Sequence, residues 1–214
     1  NSFSVHQPTG LEPFLARWGV DVGSDVVQDL KNTTSENGED VIVYDFSQHP
    51  VVNPLTQLAL QLILPRPISA AKLKNSSDDA PQVNELAFSG PDSKLAGDPT
   101  APPRRYPLMV AVEQKPATGV VQPRGTLRMV VTGDSFFLGN RQIESGANRD
   151  FLGYAVNWLL ERPQLLEGIG PRPVTEFRLL ISERQKRQVR WLLLGALPGV
   201  ILLFGGMVWL ARRK

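Results

Sequence analysis

The stretch VVTGDSFFLGN, residues 130–140, holds the side chains best placed for chemistry. An apolar, β-branched run there delivers Gly133, Asp134 and Ser135. In open α/β sheets the carboxyl ends of strands carry ligand sites, and a carboxylate such as Asp134 can hold a metal or a polar ligand. A turn uses the same residues without a ligand: Asp134 or Ser135 caps the next segment and Gly133 relieves the backbone. The phrase lacks the G-x-x-x-x-G-K-[ST] and G-x-G-x-x-G patterns that cradle phosphates. Ser135 is followed by Phe136 and Phe137, so it is not a G-x-S-x-G nucleophile either.

The other reactive side chains are few. His6 and His49 are the two histidines, far apart in sequence, and there is no cysteine. Thiolate nucleophiles, disulfides and Cys-ligated metals are thereby excluded together. Nothing specific joins Ser135 to His49 in a Ser-His-Asp triad. The carboxylate pairs Asp78–Asp79 and Asp40 with Asp45 lack the apolar setting that separates two pKa values. His49, beside Pro50, reads as a turn residue. No catalytic residue, metal site or cofactor is therefore assigned, and the chain is expected not to be an enzyme. Gly133, Asp134, Ser135, Asn148 and Asp150 remain as candidate ligand contacts.

The elements that position them follow from periodicity. Residues 11–18 read as a short helix ended by Gly19, with Leu11, Phe14, Leu15 and Trp18 on one face. Residues 20–30 read as a strand and turn, 31–40 as a polar turn, and 41–46 as a strand. Residues 58–68 read as a strand whose end is set by Pro65 and Pro67. Residues 74–106 are polar and rich in Pro, Gly and Asp, and read as a long surface loop. Two strands follow at 106–114 and 126–132. Residues 149–161 form an amphipathic helix, with Phe151, Leu152, Ala155, Val156, Leu159 and Leu160 inward. Asn148 stands at its N-cap, and Asp150 favours the positive end of the helix dipole. A last strand is expected at 177–181. The pattern predicts an α/β domain with a layered, partly parallel sheet, a Rossmann-like or flavodoxin-like half. The domain is expected over 1–182.

A basic juxtamembrane segment, 183–190, precedes a transmembrane helix at 191–211. That run is 21 residues without a charge, about 30 Å as a helix, the thickness of a bilayer's hydrocarbon core. Trp191 and Trp209 sit near its ends, where aromatic residues prefer the interface. Pro198 and four glycines within it are tolerated in spans. Arg212, Arg213 and Lys214 form a basic tail that completes the anchor.

Charge supports this division. All 21 acidic residues precede the span, and without the three tail residues the remainder holds 20 basic residues. The body is thus near neutral, with no basic stripe for nucleic acid. Six basic residues (Arg172, Arg178, Arg184, Lys186, Arg187 and Arg190) precede the span against three after it. Counted alone, they place the body in the cytoplasm by the positive-inside rule.

The succession VVTGDSFFLGNR, NRDFLGYAVNWLLE, RPVTEFRLLIS and LPGVILLFGGMVWLARRK resembles the GldG-type family, as do the earlier GLEPFLARWGVDVGSDVVQD and SQHPVVNPLT. These are auxiliary components of ABC transport systems associated with bacterial gliding motility. A related domain occurs in the group of the ciliary transport protein IFT52. The resemblance covers most of the chain, in order, and makes it roughly a C-terminal half with an N-terminal part missing. It implies an ABC permease and ATPase as partners beside the lipid bilayer. It also implies a cytoplasmic (inner) membrane location with the body in the periplasm, against the bare charge count. The family supplies no catalytic motif. The turn at 133–135 and the helix start at 148–150 match its pattern and carry over only as structural or ligand-contact positions.

Overall fold

The computed structural model describes residues 8–71, 80–98, 100–115, 125–162 and 182–212. The chain divides into two units, Asn1–Leu180 and Ile181–Lys214. In chain order the first runs α1 (Glu12–Arg17), β1 (Val20–Val22), β2 (Val27–Gln28), β3 (Asp40–Val43) and β4 (Asp45–Phe46). A 3-10 turn (Asn53–Leu55), β5 (Leu60–Ile63), β6 (Ile68–Ala70), β7 (Gln82–Phe88) and β8 (Lys94–Leu95) come next. Then follow β9 (Pro107–Gln114), β10 (Leu127–Thr132), a second 3-10 turn (Phe136–Leu138) and α2 (Asn148–Leu159).

β9 organises this unit. Its run from Leu108 to Val112 is fully buried on both faces. A strand so placed must be apolar at every position, as LMVAV is, rather than at alternate ones. Burying each of Leu108, Met109, Val110 and Val112 withdraws apolar area worth about 1.5–3 kcal/mol from water. β9 lies between β10 and β7, and β4 completes a four-stranded sheet in the order β10-β9-β7-β4.

Register sorts the side chains onto two faces. Ala111 opposes Val130, and both join the larger core with Leu60, Leu62, Phe137, Phe151 and Trp158. Val110 opposes Val131 and Val112 opposes Met129, and all four join the smaller core with Leu15, Val20 and Ile68. α1 and the β1–β6 pair thus serve one face, while α2 and the β3–β5 pair serve the other. In β7 the pairing with β9 shifts between Glu85 and Ala87, and this irregularity lets Leu86 and Ala87 both bury in the larger core.

The mixed helix–sheet class agrees with the sequence reading, but the sheet differs in direction. Every strand pairing among the described residues is antiparallel, not partly parallel. A parallel pair needs a crossover to a returning strand. The strand expected after α2, at 177–181, lies outside the described residues. The expected loop at 74–106 is corrected too: it contains β7, a central strand, and β8.

The inward face of α2 is also rotated. Asn148, Phe151, Ala155 and Trp158 are buried, whereas Val156, Leu159 and Leu160 are exposed. Trp158 takes the inward place because its ring meets His49 edge-on at 5.1 Å and lies under the Arg128 guanidinium at 4.9 Å.

Among its described residues the second unit is helical from Glu183 to Arg212. α3 (Glu183–Trp191) starts with a capping box: Ser182 Oγ accepts Gln185 N–H, and Gln185 Oε1 accepts Ser182 N–H. A π-helical turn (Leu192–Ala196) leads into α4 (Leu197–Arg212). Pro198 has no N–H for the Leu194 carbonyl, and its ring crowds that carbonyl. A widened turn just before it relieves the clash. The helix from Arg184 to Arg212 is long enough to cross a membrane, and an 18-residue stretch within it is apolar enough, with a mean hydropathy of 2.1. Arg213 and Lys214 lie outside the described residues.

Candidate functional site

The turn at 133–135 and the start of α2 converge on one strand, β5. One edge of β5 is paired with β3. Its other edge is covered by a bridge from Leu60 to Gly146, by Ala147 N–H on the Ala59 carbonyl, and by two side chains.

The first is Asn148. Its Oδ1 accepts Gln61 N–H at 3.0 Å, and its Nδ2 donates to the Gln61 carbonyl at 3.0 Å. Nδ2 also reaches the Gln142 carbonyl at 2.9 Å. Asn148 is fully buried. The expected N-cap role is therefore corrected: Ala147 occupies the cap position, without a side-chain cap, and Asn148 begins the helix proper. Its amide is used on a strand edge instead.

The second is Asp134. One oxygen accepts Ile63 N–H at 2.8 Å and the other accepts Phe136 N–H at 2.6 Å. Burial pushes its carboxyl above the usual range. The backbone N–H groups of Ile63, Phe136 and Phe137 oppose that shift, and the negative charge of Asp40 adds to it. Gly133 threads between two backbones: its N–H bonds the Leu108 carbonyl and its carbonyl accepts Arg66 N–H, each at 2.9 Å. A Cβ there would collide with the Arg66 carbonyl oxygen. Ser135 is exposed and makes no side-chain cap for the turn that follows. Asp150 is half-buried in the first turn of α2, where its charge raises the pKa of Tyr154 beyond the effect of burial. The five candidates thus lie just after β10 and in the first turn of α2, with Asp134 and Asn148 holding the backbone of β5.

A cleft lies elsewhere. About 380 Å³ in volume, it opens beside β1, β6 and β7 and is lined by Asp21, Asp25, Glu85, Arg104 and Arg105 among others. Arg105 Nε pairs with Asp45 at 2.8 Å, and its guanidinium lies 3.6 Å over the Phe88 ring. Arg104 lies 4.6 Å over Tyr106. Neither histidine nor lysine is among the lining residues. Such a mixed-charge wall suits hydrogen bonding to a polar ligand. Sequence reasoning passed over these residues because they fall in the presumed 74–106 loop and in the strand-and-turn segment at 20–30. The Arg104–Arg105 doublet was the one local signal.

Two further clusters went unnoticed. Asp29 is fully buried and accepts N–H from Lys31, Asn32 and Gly90 as well as the Asn32 amide, which ties the 29–32 turn to the end of β7. Arg128 donates to the Trp158 carbonyl at 2.8 Å and to Glu113 at 3.1 Å, fastening the end of α2 to the sheet. His49 lies half-buried beside them and accepts Val51 N–H. Burial lowers its pKa, opposed by Glu113 and assisted by Arg128. Among the described residues, no three His, Asp or Glu side chains group as metal ligands.

No family model and no curated protein matches the chain. Among solved structures it is similar to the mmIFT52 N-terminal domain, at 13% identity and a TM-score of 0.47, over 79% of this chain. The chain spans about 60% of that structure's length. At that score the likeness carries no argument about function.

Proposed function

We propose that the protein is a membrane-anchored, non-catalytic accessory subunit of an ABC transport system, with its helix–sheet body outside the cytoplasmic membrane. The observation that carries the anchor is the long apolar stretch within the helix from Arg184 to Arg212. The order of motifs shared with the GldG-type family supplies the transporter, its permease and the orientation. In this reading the span docks against a multi-span permease and the body meets cargo or envelope partners. ATP is hydrolysed by a separate subunit, since this chain has no phosphate-binding motif.

Removing residues 189–214 tests the docking step. Loss of permease co-purification, with the body still folded, is the expected result. A complex that persists moves the contact to the body.

The cleft favours a second reading, in which the body captures a small polar ligand for the transporter. A hydrolase centred on Asp134 draws less support, because both carboxylate oxygens already accept backbone N–H groups. Substituting Asp134 is therefore expected to lower stability rather than to abolish a reaction in a folded protein.

A further inference from the structure

α3 carries four of the seven basic residues of the second unit, against one acidic residue, Glu183, at its start. Arg184, Lys186, Arg187 and Arg190 are all exposed. At about 100° per residue they occupy an arc of about 160°, while Gln185, Gln188 and Val189 fill the opposite side. α3 continues through the π-helical turn into α4. The capping box at Ser182 and Gln185 fixes where this helix begins. The charges therefore stand on a stiff extension of the span rather than on a loose tail.

Depth follows from helix geometry. Residues 191–211 fill a hydrocarbon core of about 30 Å. At about 1.5 Å per residue, Arg190 lies about 2 Å beyond Trp191, Lys186 and Arg187 about 6–8 Å, and Arg184 about 10 Å. The headgroup layer on each side is about 5–8 Å deep. All four cations thus reach it, with their aliphatic stems able to lie along the helix and their charged ends among phosphates. Each basic group near an anionic surface contributes about 1 kcal/mol of attraction.

We propose that α3 is a collar that binds anionic lipid headgroups. It gathers phosphate-bearing, net-negative lipids around the entry of the span and fixes the depth and tilt of the anchor. The inference rests on membrane insertion of α4, but not on any transporter partner.

The test uses the full chain reconstituted in vesicles of mixed phosphatidylcholine and phosphatidylglycerol, released into detergent and weighed intact with its retained lipids. Phosphatidylglycerol is expected to be enriched several-fold over its share of the vesicle, and the enrichment is expected to fall at high salt. The combined substitution Arg184→Gln, Lys186→Gln, Arg187→Gln and Arg190→Gln keeps good helix formers and should remove most of the preference. Neutralising Arg212, Arg213 and Lys214 instead should lower it less, because the α3 charges remain. Equal retention of both lipids by the parent chain, or a preference that the α3 substitutions reduce no more than the tail substitutions do, overturns the collar. So does an acidic protein captured from native membranes through α3 while the lipid preference stays flat. Alkaline carbonate extraction of the same samples separates the two readings: a chain that washes out of the bilayer refutes the span itself, whereas one that resists while showing no preference refutes only the collar.

Discussion

The side-chain amide of Asn148 pairs with the backbone of Gln61 as a neighbouring strand would, donating to its carbonyl and accepting its N–H, both at 3.0 Å. The two residues are 87 positions apart. Because the contact is buried, α2 cannot leave β5 without stranding a backbone N–H and carbonyl away from water. Asn148→Ala is expected to lower the unfolding free energy by about 2–4 kcal/mol, as lost bonds to buried polar groups do. Asn148→Asp keeps an acceptor but turns a carboxylate oxygen toward the Gln61 and Gln142 carbonyls, and should cost at least as much. Urea unfolding of the detergent-solubilised chain checks both.

Gly133 faces a different constraint. Its place between the Leu108 and Arg66 backbones leaves no room for a side chain. Gly133→Ala is expected to destabilise by about 1–3 kcal/mol through backbone displacement. A melting temperature equal to that of the parent would show that the crossing of β10 and the 64–67 segment is looser than described.

His49 makes stability depend on pH. Its folded pKa is lowered, chiefly by burial, so the unfolded chain takes up a proton more readily. The contribution is complete above the ordinary histidine value of 6.5 and is lost as pH falls through the lower folded value. Thermal melts across this range should show a decline on acidification that is shallower in His49→Asn. An equal slope in the two proteins would assign the decline to other groups.

The capping box gives a local prediction. Ser182→Ala should fray the first turn of α3, at a cost of about 0.5–2 kcal/mol to the helix end. Amide hydrogen exchange at 183–186 should quicken, while α4 stays protected.

Orientation is open to direct labelling because the chain has no cysteine. Ser135 is exposed, so Ser135→Cys offers a single thiol on the body. A membrane-impermeant maleimide is expected to label it in intact cells. Labelling only after lysis would place the body in the cytoplasm, as the bare charge count suggests.

Local pattern and non-local pairing explain what the sequence revealed. β9, β10, α2 and the apolar helix at 197–212 stand out because each carries its own local hydropathy pattern. β7 did not, because QVNELAF mixes polar Asn84 and Glu85 with apolar positions and lies among loop-forming residues. Its central place comes from pairing with β9 and β4, which no local period encodes. Strand direction was misread for a related reason: a strand followed by a helix fits either a parallel or an antiparallel sheet. Asp134 and Asn148 stood out as polar residues at element ends, but their task is set by the uncovered edge of β5, 71 and 87 residues earlier. Periodicity placed α2 yet could not rank Trp158 above Leu159, since Arg128 and His49 decide it through space.

The most direct test of the accessory-subunit account is affinity purification of the intact protein from native membranes in mild detergent, followed by mass spectrometry. The account predicts recovery of a multi-span ABC permease together with its ATPase, in constant proportion across preparations. A pure, folded preparation that repeatedly brings down neither would contradict it.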